Sequence, residues 1–246
     1  MSPPQKAALV TGSATGVGRA CAVRFAQLGY AVTVNYSKSE AEAIETVQLV
    51  EAHGVPALLC KATVADDAQV KKMIAQTAAA FGRLDVLVNN AGMTHFIAHT
   101  DLDALTDAVW DEIFQVNLKG AFYCIRSTMP LLNAVKGNVV NVSSVAGLTG
   151  MGSSIPYAAS KAAMNCMTQS LARAFGPDVR VNAVAPGPIL TRWLEGREAQ
   201  VQKFLEQAPL GRVATPDDIA DAVVYLATGT TLTTGQVLVV DGGRTV

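Results

Sequence analysis

The sequence predicts an α/β domain in which helices cover both faces of a parallel sheet. Three observations carry this prediction. Seven short apolar runs are continuous rather than alternating, the pattern of strands buried on both faces. Helix-length stretches separate these runs, the order that builds parallel crossovers. The 246 residues, half of them hydrophobic and 16% charged, suffice for one large core.

In chain order the expected strands are "AALVT" (7–11), "AVTVN" (31–35), "PALLC" (56–60), "DVLVN" (85–89), "NVVNVS" (138–143), "VRVNAV" (179–184) and "QVLVVD" (236–241). Helices are expected near 17–28, 39–53, 66–81, 107–131, 155–175 and 216–227. There is no repeat, no low-complexity tract and no linker-like shift of composition, so a single doubly wound domain over 1–246 accounts for the chain. The stretch 188–214 contains no strand. It reads as one or two short helices between Pro188 and Pro209, a candidate substrate lid whose apolar side is Trp193, Leu194, Phe204 and Leu205. Met93, Phe96 and Met151 are further pocket candidates.

Composition excludes several classes of function. The formal net charge is −1 and no basic run occurs, which argues against a nucleic-acid surface. The start "MSPPQKAALV" lacks the apolar core of a signal peptide, and no segment is long enough to span a bilayer. A soluble cytoplasmic protein without membrane or nucleic-acid partners is expected. Cys21, Cys60, Cys124 and Cys166 are widely spaced with no C-x-x-C, so no metal site and no disulfide scaffold is expected, only buried free thiols.

The first strand runs into "TGSATGVG" (11–18) and then a helix. In a Rossmann fold such a turn holds a dinucleotide: glycines admit the pyrophosphate, and the helix N-terminus favours its charge. Gly12, Thr15, Gly16, Val17 and Gly18 are therefore candidate cofactor contacts. The spacing is G-x-x-x-G-x-G, and a tight turn that binds nothing is the alternative. Further on, "SSIPYAASKAA" (153–163) is helical by its alanines, with Pro156 suited to a first turn and Ser153 or Ser154 to its cap. Tyr157 and Lys161 stand one turn apart on one face. An ammonium near a phenol lowers its pKa, which makes the pair a candidate proton donor and acceptor. A surface helix that happens to carry both residues is the alternative.

These stretches, with "NNAG" (89–92), Asn117 in "FQVNLKG", "NVSS" (141–144), "NAVAPGPILT" (182–191) and "VDGG" (240–243), resemble the short-chain dehydrogenases/reductases over nearly the whole chain. The resemblance implies an NAD(P)-dependent oxidoreductase that moves hydride between nicotinamide and a ketone or secondary alcohol. It implies Tyr157 as acid/base and Lys161 as the residue that tunes it and holds the nicotinamide ribose. Ser144 would bond the substrate oxygen; its neighbour Ser143 points the other way on a strand. Asn117 would anchor a water leading to the lysine, or satisfy helix backbone. Asn90, Ala91 and Gly92 would shape the loop beside the ribose. Pro186, Gly187 and Thr191 would face the nicotinamide, and Val64 would pack near the adenine although Thr63 replaces the family's usual acid.

NAD-selective enzymes commonly end the second strand with an acid for the ribose 2′-hydroxyl. Here the run is Asn35, Tyr36, Ser37, Lys38, with no carboxylate before Glu40. A 2′-phosphate could use Ser37 and Lys38, so NADP(H) is favoured over NAD(H), with Tyr36 beside it. The substrate is expected to be a small or medium ketone. The alternatives are a 3-oxoacyl-[acyl-carrier-protein] reductase and a non-catalytic dinucleotide-binding protein. Carrier docking needs surface bases; Lys136 and Arg180 are present, but Pro177 and Asp178 interrupt the patch. His95 and His99 read as surface-loop histidines. Surplus apolar residues on 107–131 (Phe114, Val116, Leu118, Phe122, Ile125) and 155–175 (Met164, Met167, Leu171, Phe175) predict a homotetramer, with a dimer as the fallback.

Overall fold

A computed structural model describes residues 5–246. Its sheet has seven strands: β1 (Ala7–Val10), β2 (Ala31–Tyr36), β3 (Ala57–Lys61), β4 (Val86–Asn89), β5 (Asn138–Val142), β6 (Arg180–Pro186) and β7 (Val237–Val240). The order is β3-β2-β1-β4-β5-β6-β7, and every pairing is parallel. The order reverses between β1 and β4. A crevice opens there at the carboxyl ends of the strands, which is where open α/β sheets bind ligands.

The helices are α1 (Gly16–Gln27), α2 (Glu40–Glu51), α3 (Asp67–Phe81), α4 (Asp107–Phe114), α5 (Ala121–Val135), α6 (Ala146–Thr149), α7 (Ile155–Phe175), α8 (Glu198–Gln207) and α9 (Pro216–Val224). They divide the core in two. On one face Phe25, Val32, Val34, Val184 and Leu226 interlock; on the other Leu9, Met73, Leu87, Leu132 and Val139 do. Polar ends are answered locally. Asp66 accepts the Ala68 and Gln69 amides at the start of α3, at 2.8 and 3.2 Å. Thr215 and Asp218 close a reciprocal capping box on α9. Asp85 takes the Ala7 amide at 2.9 Å and pairs with Arg83, which fixes where β1 begins.

Several expectations are corrected. The helix expected over 107–131 is α4, a π turn at Gln115–Gly120, and α5, which continues past Pro130 to Val135. A π turn inserts a residue and breaks the 3.6 period on which the reading relied. The last helix likewise ends in a π turn at Tyr225–Gly229. The four-residue α6 is too short to leave a periodic signal. Ser154 holds the N-cap position of α7 without a side-chain bond, whereas the Ser153 hydroxyl pairs with Thr94 at 2.5 Å. Cys166 is exposed; the other three thiols are buried. The inserted stretch does contain a turn at Arg192–Leu194 and the helix α8, and a lone Ile189–Ala214 bridge joins its two ends. Among the described residues no helix is long and apolar enough to cross a membrane.

Candidate active site

The glycine turn is built to stay open. Gly12 and Gly16 have φ of +61° and +56°, conformations that side chains resist. A Cβ on Gly18 would lie 2.4 Å from the Gly12 carbonyl oxygen and 2.5 Å from the Asn90 amide nitrogen. One on Gly12 would press Ala91 at 3.0 Å. The turn therefore packs against the "NNAG" segment, and the N-terminus of α1, with no acid in its first turn, faces the crevice. A cradle that any added Cβ would fill, backed by a helix N-terminus, fits a dinucleotide pyrophosphate.

Three residues that the sequence reading did not assign hold this cradle. The Thr11 hydroxyl accepts the amides of Asn90 and Ala91, each at 3.0 Å. Asn35 Oδ1 accepts the Gly12 amide at 3.1 Å, and its Nδ2 donates to the Ala62 carbonyl at 3.0 Å. The Ser13 hydroxyl donates to the Val10 carbonyl at 2.8 Å and accepts the Asn35 amide at 2.9 Å. The available signal was polarity: Thr11 and Asn35 are polar side chains at the carboxyl ends of mostly apolar runs, and a buried polar side chain there must have partners. Asn90 Nδ2 completes the lattice, donating to the Thr11 and Gly12 carbonyls at 2.9 and 3.0 Å.

Tyr157, Lys161, Ser144 and Asn117 converge beside this cradle. Lys161 is 4% exposed; its ammonium donates to the Val142 carbonyl at 2.8 Å and lies 5.8 Å from the centre of the Tyr157 ring. Ser144 follows β5; its hydroxyl accepts the Ala146 amide at 3.1 Å and stands on the Tyr157 side, where it lowers the phenol's pKa. The Asn117 side chain sits in the π turn. It accepts the Met93 amide at 2.8 Å and donates to the Met93 carbonyl at 3.0 Å and to Ser160 Oγ at 3.1 Å. Ser160 in turn donates to the Tyr157 carbonyl at 2.7 Å, a link the sequence reading lacked. A Cβ on Gly92 would sit 3.4 Å from Asn117 Oδ1 and 3.7 Å from Lys161 Nζ, so glycine here lets those groups face one space. Ser143 is turned inward to Asn165 Oδ1 at 2.6 Å.

The electrostatics differ from the simple pairing expected. Burial raises the Tyr157 pKa, and only the Ser144 hydrogen bond lowers it. Burial pushes Lys161 down to about 8. The ammonium lies over the ring and is bonded to a carbonyl, so its charge is not at the phenolic oxygen. Burial thus holds the phenol as a proton donor.

The other candidates distribute as follows. Gly187 closes on Asp241, where a Cβ would meet Asp241 Cβ at 2.7 Å. The Pro186 carbonyl accepts the Val145 amide at 2.9 Å. Thr191 Cγ2 reaches the phosphate turn, 3.5 Å from a Cβ built on Gly16. Val64 is buried against Gly120, where a Cβ would lie 2.7 Å from its Cγ2. Tyr36 donates its hydroxyl to Glu40 at 2.8 Å, which raises its pKa; Ser37 and Lys38 are exposed next to it. Trp193 meets the Tyr157 ring edge-on at 6.2 Å between centroids. Arg197 stacks on Phe96 at 3.7 Å, and Phe204 lies under Arg244 at 5.0 Å. Leu194 and Leu205 line a 490 Å³ cavity formed within the inserted segment itself, whereas Met151 is 57% exposed. Arg180 is not a surface base. Its guanidinium donates to the carbonyls of Leu226, Thr233 and Ala227 at 2.8, 3.1 and 3.0 Å. His95 pairs with Glu112 at 2.8 Å, and His99 lies half-exposed in the same loop with its Nε2 turned inward.

Comparison with known proteins agrees with this geometry. A family profile described as enoyl-(acyl carrier protein) reductase matches residues 12–245. A Streptomyces violaceoruber protein assigned as ketoacyl reductase 2 of the granaticin polyketide synthase is 44% identical, covering 98% of this chain and 97% of its own. The 3-oxoacyl-[acyl-carrier-protein] reductase FabG of Staphylococcus aureus is 39% identical, with 97% of each chain covered. A crystal structure assigned as a short-chain dehydrogenase/reductase from Burkholderia xenovorans superposes with a TM-score of 0.93 at 37% identity, over 99% of both chains. On the strength of these matches, and of the parallel sheet that carries the site, the chain belongs to the short-chain dehydrogenase/reductase family and is an NAD(P)-dependent oxidoreductase.

Proposed function

We propose that this enzyme interconverts a ketone and a secondary alcohol with NADP(H) in preference to NAD(H), using Tyr157 as acid/base. The observation that carries this reading is the convergence of Tyr157, Ser144, Lys161 and Asn117 on one space beside the glycine cradle. When bound, the nicotinamide cofactor supplies or accepts the hydride. Gly12, Thr15, Gly16, Val17 and Gly18 would hold its pyrophosphate against α1, and Asn90, Ala91, Gly92, Pro186, Gly187 and Thr191 would line the nicotinamide side. Val64 lies on the adenine side.

The Ser144 hydroxyl would donate to the substrate carbonyl and stabilise the charge that grows there. Tyr157, kept protonated by burial, delivers its proton to that oxygen in reduction and takes it back in oxidation. Lys161, held by the Val142 carbonyl beside the Tyr157 ring, would hold the nicotinamide ribose of the bound cofactor. Asn117 orders the Met93 backbone and Ser160, and so fixes the helix turn from which Tyr157 projects. The lid over 188–214 brings Trp193 onto Tyr157 and narrows access to the reacting oxygen.

The preference for NADP(H) is supported by the absence of a free acid at the end of β2, where Glu40 is occupied by Tyr36 and Lys38 and Ser37 lie exposed. A second substrate reading, a 3-oxoacyl-carrier reductase, is favoured by the named relatives. The engagement of the half-buried Arg180 guanidinium by three carbonyls weighs against it, because it ties up a base the docking surface would need. For assembly, Phe122 is 40% exposed and the edge strand β7 shows Val239 at 38%, while Ile125 and Met164 belong to the core. A homotetramer remains the proposed form, on fewer residues than the sequence suggested.

The test is a panel of small ketones, free 3-oxoacyl thioesters and carrier-bound 3-oxoacyl groups, each with NADPH and NADH, followed by nicotinamide absorbance. Turnover of small ketones or free thioesters with NADPH is expected. At least tenfold higher kcat/KM for the carrier-bound substrate would select the carrier reading. Cofactor binding without any turnover would leave only a dinucleotide-binding role.

A further inference from the structure

Arg192 is the one lid cation that reaches the cofactor crevice in a hydrogen bond. It follows Thr191, whose methyl sits over the phosphate turn, and its Nη1 donates to Ser39 Oγ at 3.3 Å. That bond crosses from the end of β6 to the start of α2, between residues 153 positions apart. Arg192 therefore lies across the groove that runs from the glycine cradle toward the end of β2.

We propose that Arg192 is a specificity residue for the cofactor: with Ser39, Lys38 and Ser37 it forms a two-cation, two-hydroxyl site for the ribose 2′-phosphate, and it carries the lid shut when that phosphate binds. The proposal rests on the NADP(H) reading above and adds to it a group from the lid. Among the described residues neither Arg192 nor Lys38 has a carboxylate in ion-pair contact. The nearest acid in sequence, Glu40, accepts from the Tyr36 hydroxyl instead. Glu195 and Glu198 share the 490 Å³ cavity with Arg192 but make no ion pair with it. The groups left open are donors and cations, the complement of a dianion rather than of a hydroxyl.

Guanidinium chemistry suits this task. Arginine has five N–H donors in a planar fork that matches two phosphate oxygens at once, and Ser39 uses only one side of it. Arg192 is exposed, so its charge is screened by salt until a phosphate closes on it. The same residue belongs to the turn that places Trp193 on Tyr157. Phosphate binding at one end of the turn and closure over the acid/base at the other are then coupled, and the coupling is reciprocal.

Equilibrium titration of the whole protein with NADPH and with NADH, read by nicotinamide fluorescence at fixed ionic strength, tests this without turnover. For Arg192→Ala the ratio of Kd for NADPH to Kd for NADH should rise at least tenfold over wild type, with the NADH constant changing less than about twofold. Arg192→Lys should recover part of the ratio, because charge returns without the fork. Competition by 2′,5′-ADP should weaken in parallel, and Ser39→Ala should shift the ratio in the same direction by less. An unchanged ratio in Arg192→Ala, or equal weakening of both cofactors, overturns the proposal. The ratio is informative whichever cofactor wild type prefers. Tighter NADH binding by wild type would defeat the NADP(H) preference, and an insensitive ratio would defeat only the role of Arg192.

Discussion

The floor of the site and its lid are built in opposite ways. On the floor, Lys161, Asn117, Ser160 and Ser143 are buried, and each polar group has a defined partner within 2.6–3.1 Å. In the lid, neither the turn Arg192–Leu194 nor α8 has a buried residue. The lid is held by the Ile189–Ala214 bridge at its base and by side-chain touches at its edge: Arg192 to Ser39, Trp193 to Tyr157, Arg197 to Phe96. The difference teaches where each property resides. Proton transfer needs atoms fixed to a fraction of an ångström, so its groups are locked into the sheet edge. Admission of a substrate needs a segment of low local stability, so it is hung outside the core.

The floor should therefore break chemistry first. Tyr157→Phe removes the transferable proton and keeps the ring under Trp193, so turnover should fall by roughly 10²–10⁴-fold. Cofactor binding and the melting temperature should hold, because the phenol is not among the bonds that tie the floor together. Lys161→Met is the companion with a pH signature. The unfolded chain keeps a lysine proton up to about 10.4, whereas the folded protein releases this one near about 8. Between those values the unfolded state binds more protons, so the contribution of this group to stability rises with pH from about 8 upward. That rise should vanish in Lys161→Met, and turnover should fall with it. Chemical denaturation at several pH values, run beside initial rates, reads both. Unchanged pH dependence in the variant would detach Lys161 from the titration.

The neighbours Ser143 and Ser144 separate structure from function on adjacent residues. Ser144→Ala should lower kcat by about tenfold or more while leaving stability within about 0.5 kcal/mol, since its hydroxyl meets Tyr157 and the substrate side. Ser143→Ala should do the reverse. It strands the buried Asn165 Oδ1 and should cost about 1–3 kcal/mol of stability with turnover largely kept. Paired melts and rates on the two variants decide it, and a swap of the two phenotypes would reverse the assignment of roles.

The legibility of the molecule follows the same division. All seven strands were readable because a parallel sheet buried on both faces writes itself as apolar runs, and the glycines of 12–18 were readable because positive φ and close packing admit nothing else. The closeness of Tyr157 and Lys161 was readable from their spacing on one helix face. What escaped was whatever depends on a partner far along the chain. Thr11 looks like an ordinary strand end until it accepts amides from residues 90 and 91. Arg180 looks like a docking base until three carbonyls from 226–233 surround it. The π turn at 115–120 shifts the helix phase by a residue, so periodicity could not place Asn117 on the side of Met93. Spacing alone predicts a lowered phenol pKa because it gives proximity, whereas burial raises it and the ammonium points at the Val142 carbonyl.

The smallest expected effect belongs to the lid's apolar edge. Trp193 is 38% exposed and touches Tyr157 edge-on, a contact worth about 0.5–1.5 kcal/mol when both rings are fixed. In the free protein Trp193→Ala should shift the melting temperature little, because the turn that carries it buries nothing. In the working enzyme the indole forms one wall over the reacting oxygen, and its loss widens that space without moving the proton donor. The expected result is a several-fold rise in KM, larger for small ketones than for bulky ones that fill the gap themselves, with kcat reduced less than threefold. Steady-state kinetics on a size series of ketones measures it. If kcat fell as far as in Tyr157→Phe while KM stayed constant, Trp193 would belong to the floor, and the division between a fixed floor and a hung lid would be drawn in the wrong place.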